Sequence, residues 1–206
     1  MERRVSGGCE ARVEERDGKK VISGYGAVFH REGDAGTEYT VGDWFTERIG
    51  RTAFDRAIKE KHDAAGLFNH DPNNVLGRTS SGTMRLSVDD RGLKYEIDVP
   101  DTQAGRDVAT SIARGDVRGS SFAFRVTKET WEQRKDKPDL RVIEDLDLFD
   151  TGPVVYPAYG GTSTGIRADD STEALAARDA WRAKLEQEQV AIRTRIISLD
   201  NDLHLA

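Results

Sequence analysis

The 206-residue chain has four histidines, His30, His62, His70 and His204. His70 has a context suited to proton transfer. It ends the run Gly66-Leu67-Phe68-Asn69 and precedes Asp71-Pro72-Asn73-Asn74, which is turn chemistry. The imidazole therefore stands where a strand opens into a loop, a placement from which side chains often act. A base there needs a partner whose proton it takes. Ser120 and Ser121 lie between Gly119 and the alternating residues Phe122, Phe124 and Val126. A serine hydroxyl is a weak nucleophile until an imidazole within hydrogen-bond reach removes its proton. On a regular strand Ser121, Ala123 and Arg125 share one face and the phenylalanines the other, so the aromatic face would anchor Ser121 at a fixed angle. Taken one at a time, a surface loop histidine and two ordinary strand serines are the simpler readings of these residues. Three carboxylates, Asp145, Asp147 and Asp150, are available to orient the histidine, and Asp150 directly precedes Thr151-Gly152-Pro153.

Other chemistries find less support. Asn69-His70-Asp71 hints at a metal, but no second ligand pair at helical or CxxC spacing accompanies it, and neither metal nor cofactor is expected. The single cysteine, Cys9, cannot form an internal disulfide or a cysteine-based zinc site. Its polar, glycine-flanked setting argues against a thiol nucleophile, and a reducing compartment is the simple expectation. Gly24-Tyr25-Gly26 falls inside an expected strand with no helix after it, so it is not a phosphate loop.

The elements that would carry these residues follow from periodicity and turn signals. Arg12 to Phe29 reads as a hairpin turning at Asp17-Gly18. Asp34 to Asp43 reads as a loop, and a helix is expected to open at Glu47 and run to Ile58, with Phe54, Ala57 and Ile58 at helical spacing. A second hairpin is expected from the alternations Met84, Leu86, Val88 and Leu93, Tyr95, Ile97, Val99, joined by Asp89-Asp90-Arg91-Gly92. Thr102 to Arg114 reads as an amphipathic helix capped near Asp101 or Thr102. Strands should follow over Val117–Val126 and Leu140–Val155. The sum is an α+β domain with a strand-rich core and packed helices.

Composition changes near Thr162. Gly160-Gly161-Thr162-Ser163-Thr164-Gly165 reads as a flexible linker, and Asp170-Ser171-Thr172-Glu173 as a helix cap. No Gly or Pro follows to the end, and Leu185, Ile192, Ile196, Leu199 and Leu203 form a stripe suited to a long amphipathic helix or short coiled coil. The expected organisation is a disordered N-terminus (1–10), a main domain (11–167) and a helical tail (168–206). A net charge of −6 weighs against a nucleic-acid partner engaged through a broad basic surface. Residues 1–8 lack the apolar core of a secretory leader, and no run approaches the roughly 20 apolar residues of a membrane helix.

Together these residues resemble the tailed-phage prohead (capsid maturation) serine protease family, which is related to the herpesvirus assemblin fold. The resemblance is carried in order by Ile22-Ser23-Gly24-Tyr25-Gly26-Ala27-Val28-Phe29, by Glu47-Arg48-Ile49-Gly50-Arg51-Thr52-Ala53-Phe54, and by Leu67-Phe68-Asn69-His70-Asp71 with Leu76-Gly77-Arg78. Gly119-Ser120-Ser121-Phe122-Ala123-Phe124 and Asp150-Thr151-Gly152-Pro153-Val154-Val155-Tyr156-Pro157-Ala158-Tyr159 complete it. It spans residues 21–167. It implies a barrel-like, assemblin-like core and a catalytic pair at His70 and Ser121. Phe122-Ala123-Phe124 sets the register in favour of Ser121, and Ser120 stands where the family often has methionine. Asp150 corresponds to the carboxylate of a Glu-Val-Ser segment common in the family, making it the implied third member. The resemblance further implies a serine endopeptidase acting inside an assembling procapsid in the bacterial cytoplasm. Its substrates would be the major capsid protein or scaffold, then itself, and the tail helix is available for homo-oligomer contacts. The rival expectation is a catalytically inactive scaffolding protein that keeps the protease-like fold.

Overall fold

The computed structural model describes residues 1–5, 10–156 and 168–204. The chain divides into two compact units, Met1–Asp170 and Ser171–Ala206. The first holds two sheets. In the larger, strands β1 (Glu2–Val5), β4 (Tyr39–Val41), β5 (Phe45–Ile49), β6 (Ala65–Leu67), β7 (Val75–Arg78), β10 (Gly119–Glu132) and β11 (Asp139–Val154) are joined. Its main path runs β1-β10-β11-β5-β4, with β6 paired to β11 and β7 to β6. The smaller sheet has the order β2-β3-β9-β8, from β2 (Arg12–Arg16), β3 (Lys19–Val28), β8 (Met84–Val88) and β9 (Gly92–Asp98). Both expected hairpins are present. Asp17 and Gly18 adopt φ of 50° and 73° between β2 and β3, the double left-handed turn that matches strand twist.

The sheets bury their inner faces on each other. Ile22, Ala27, Leu93, Tyr95 and Ile97 from one meet Phe122, Phe124, Leu146 and Leu148 from the other in a single cluster. A file of aromatic rings fixes β10 within it. Phe122 stacks on Phe124 with centroids 4.6 Å apart, meets Phe54 edge-on at 5.8 Å, and Phe54 lies 6.2 Å from Phe29. Helix α2 (Gln103–Arg114) begins where Thr102 accepts a hydrogen bond from the Gly105 amide and ends at left-handed Gly115, as its capping residues require. It buries Val108, Ala109 and Ile112.

Several expectations need correction. No closed barrel forms among the described residues: the main path of the larger sheet ends at β1 and β4. Residues 1–10 are not disordered throughout, since Glu2–Val5 pair with Val5 opposite Ser121 and Glu2 opposite Phe124. Glu2 and Arg4, charged as they are, lie buried in ion pairs that hold this segment to the sheet. The segment 34–43 contains a 3-10 turn (Ala35–Thr37) and β4. The helix expected from Glu47 is instead β5 followed by the five-residue α1 (Asp55–Lys59), because Phe45, Glu47 and Ile49 point inward at strand spacing and Glu47 is neutralised there.

The second unit is dominated by α3 (Ala168–His204). Asp170-Ser171-Thr172-Glu173 lie inside its first turns rather than ahead of it. Over its full length α3 has no single apolar side. Leu185 is half-buried and Ile192 exposed, while the side chains of Ile196, Leu199 and Leu203 lie outside the described residues. So does the Gly160–Gly165 linker.

Candidate active site

Strands β10 and β11 set the geometry. They pair antiparallel with Ser121 opposite Gly152 and Ala123 opposite Asp150. Paired residues in an antiparallel ladder share a face, so Ser121 and Asp150 project from the same side. The register slips between Ala123 and Phe124, where Phe124 pairs with Leu148 and Phe149 becomes the extra residue of a bulge. Bulges of this kind re-aim a neighbouring side chain, here Asp150.

On its other edge β11 pairs with β6, Asp150 opposite Ala65 and Thr151 opposite Gly66. Strand β6 leads into the turn that carries His70. Asn69 and His70 both take left-handed conformations, φ 56° and 57°. Two consecutive non-glycine residues there cost about 1–3 kcal/mol each, less for asparagine and histidine than for branched residues. The surroundings hold them. The Asn69 amide donates to Pro153 O (3.0 Å), and Asn69 Oδ1 accepts from the Val155 amide (2.9 Å). Asp71 Oδ1 accepts from the Asn73 amide and side chain (2.8 and 2.9 Å), and Oδ2 from Asn74 (2.7 Å). Gly152 permits the approach, because a Cβ there would lie 2.1 Å from Leu67 O.

The outcome is a line of three side chains. His70 Nδ1 lies 2.5 Å from Asp150 Oδ1, and Nε2 lies 2.6 Å from Ser121 Oγ. An ionised carboxylate only accepts, so Nδ1 carries the proton and Nε2 is free to receive one from the hydroxyl. The aspartate thereby fixes the tautomer a general base needs. Ser121 is fully buried, and the His70 side chain retains 10% exposure. A hydroxyl, an imidazole and a carboxylate in this sequence are equipped for nucleophilic acyl transfer.

The structure places the other candidates of the sequence elsewhere. Ser120 points the opposite way and shares a 2.7 Å hydrogen bond with buried Tyr95 OH. Asp145 and Asp147 are taken by Arg56, each at 2.8 Å, with Thr127 on Asp145 and Arg125 on Asp147. Asp71 turns to its own loop rather than to His70, and no group of three or more potential metal ligands occurs among the described residues. Two features escaped the sequence reading. One is Asn69, whose side chain ties the histidine turn to Val155, just past β11; its only signal was its place in Asn69-His70-Asp71. The other is Arg4, whose backbone carbonyl accepts a 2.8 Å hydrogen bond from Ser121 Oγ, and nothing in the sequence signals a contact spanning 117 positions.

Residues 9–176 match the sequence model of a family described as caudovirus prohead serine protease. No curated protein and no solved structure matches the chain.

Proposed function

The chain belongs to the caudovirus prohead serine protease family, and from that premise we propose that it cuts the capsid or scaffold protein of an assembling procapsid, and then itself, using Ser121, His70 and Asp150. The observation carrying this reading is the continuous hydrogen-bonded path from Asp150 Oδ1 through both nitrogens of His70 to Ser121 Oγ. As Oγ attacks the scissile carbonyl, Nε2 takes its proton. Asp150 holds the imidazole and stabilises the charge it acquires. The tetrahedral intermediate collapses when Nε2 returns that proton to the leaving amine, leaving an acyl group on Ser121. A water activated by the same nitrogen then releases the new carboxyl terminus. Backbone N–H groups would stabilise the oxyanion.

Co-expression with the cognate capsid protein tests the reading. Processing should be complete with the unaltered chain and absent with Ser121→Ala or His70→Ala. A nucleophile and its base fail as a unit, so each single change should cost on the order of 10⁴ to 10⁶ in kcat and the double change little more. Uncut capsid protein beside the folded, unaltered chain would leave the chain a scaffolding role only.

A further inference from the structure

A serine nucleophile must be reachable by a peptide carbonyl, yet Ser121 has no exposed surface. What touches its hydroxyl, besides His70, is a peptide unit of the chain itself. The carbonyl of Arg4 lies 2.8 Å from Oγ. It belongs to β1, which lies along the edge of β10 opposite β11 with Val5 beside Ser121. Extended peptides bind proteins by adding a strand to such an edge, and Ser121 is carried on this one.

We infer that β1 is an internal occupant of the substrate groove: residues 2–5 lie where an extended peptide substrate would pair with β10, and they must be displaced before cleavage. The inference rests on the proposed protease activity. Three features support it beyond position. First, the serine hydroxyl has one proton and two acceptors within reach, His70 Nε2 at 2.6 Å and Arg4 O at 2.8 Å. Donation to the carbonyl withholds the proton from the base. Second, that contact runs to the carbonyl oxygen as a hydrogen bond, so the Arg4–Val5 peptide is held rather than attacked. Third, β1 brings its own compensating charges. Arg4 bonds Glu47 at 2.6 Å and Glu2 at 2.6 Å, while Arg141 bonds Glu2 at 2.7 Å, Glu47 at 2.8 Å and Glu129 at 2.6 Å. When β1 leaves, Arg4 and Glu2, one positive and one negative charge of this cluster, leave together. The Glu47–Arg141 pair stays behind with Glu129, so no buried charge is stranded, which is the large cost of breaking such clusters.

A fluorophosphonate that reacts with activated serines reports access to Ser121, with Ser121→Ala as the blank. The clamp is weakened by Glu2→Gln with Arg4→Ala, with folding followed by circular dichroism. A larger displaced fraction should raise the labelling rate by roughly tenfold or more. The opposite arm ties β1 down by Arg3→Cys with Ala123→Cys, residues that face each other in the ladder, in a Cys9→Ser background. Its oxidised form should be silent and its reduced form reactive. This arm keeps the native pairing, so it decides the matter even if the loosened variant fails to fold. Equal labelling of the oxidised and reduced forms would overturn the occupant proposal alone, as would a folded, loosened variant that labels no faster than the unaltered chain. Folded protein that never labels in any form would overturn both the proposal and the protease reading.

Discussion

At the scale of single residues, chemistry restricts the type and context of the groups proposed to react. His70 at a strand end, Ser121 on an aromatic-backed strand and Asp150 before Thr-Gly-Pro were each weak signals, and the structure brings the three within 2.5 and 2.6 Å contacts. The register that Phe122-Ala123-Phe124 sets by resemblance puts Ser121 beside His70, and Ser120 is turned away to Tyr95 across the two sheets, a contact no local pattern contains. Charged residues were the hardest to read. Glu2, Arg4, Glu47 and Arg141 look like surface residues but are all buried, since burial of charge depends on partners far away in the chain. Glu47 is central to that cluster. Burial pushes its pKa up, but attraction and hydrogen bonds from Arg4 and Arg141 outweigh it, so the carboxyl is held below its ordinary value. Its contribution is thus fully present above the unfolded-state pKa, about 4.3, and is lost as pH falls through the lower folded value. Glu47→Gln removes one partner of a buried pair and should cost about 3–5 kcal/mol near neutrality. It should also flatten the acid limb of stability against pH. Urea unfolding from pH 7 down to 3 checks both, and an unchanged acid limb would show that the cluster does not set it.

At the scale of elements, hairpins and the capped helix α2 were legible from local turn and capping chemistry, whereas β4, β5 and the pairing of β6 were not. Strand β5 reads as helix because its inward Glu47 breaks the apolar alternation, and β6 has only three residues. That short strand nevertheless positions His70, the proposed base. It packs so closely on β11 that Gly152 leaves no room for a Cβ beside Leu67 O. Gly152→Ala must push β6 and the following turn outward, carrying His70 away from Ser121. Because a shift of about 1 Å at a catalytic group can cost 10²-fold, kcat should fall by about that factor while Ser121 stays in place on β10. Steady-state cleavage of a peptide substrate, with thermal unfolding measured alongside, tests this. A variant with wild-type kcat would mean that the His70 turn is not held by β6.

For the whole molecule, the sequence marked a composition change near Thr162, and the structure divides the chain into Met1–Asp170 and Ser171–Ala206. Every strand among the described residues and the proposed triad fall in the first unit, and the hydrophobic cluster there is built from residues between Ala11 and Val155. Helix α3 has 37 residues, about 55 Å at 1.5 Å per residue. Helices owe most of their stability in proteins to packing, yet Val190 and Ile192 are 62% and 59% exposed. A helix of that length with exposed apolar residues suits a contact between chains, either with another copy or with a helical scaffold segment. Ending the chain after Asp170 should therefore leave a folded domain whose Ser121 reacts with the fluorophosphonate as in the full chain, but which enters procapsids poorly. Circular dichroism and labelling report the first part, and fractionation of assembled procapsids the second. Aggregation of the shortened chain would make α3 part of the folding unit. Packaging at the full-length level would remove assembly from its role, leaving the helix as a segment the enzyme can do without.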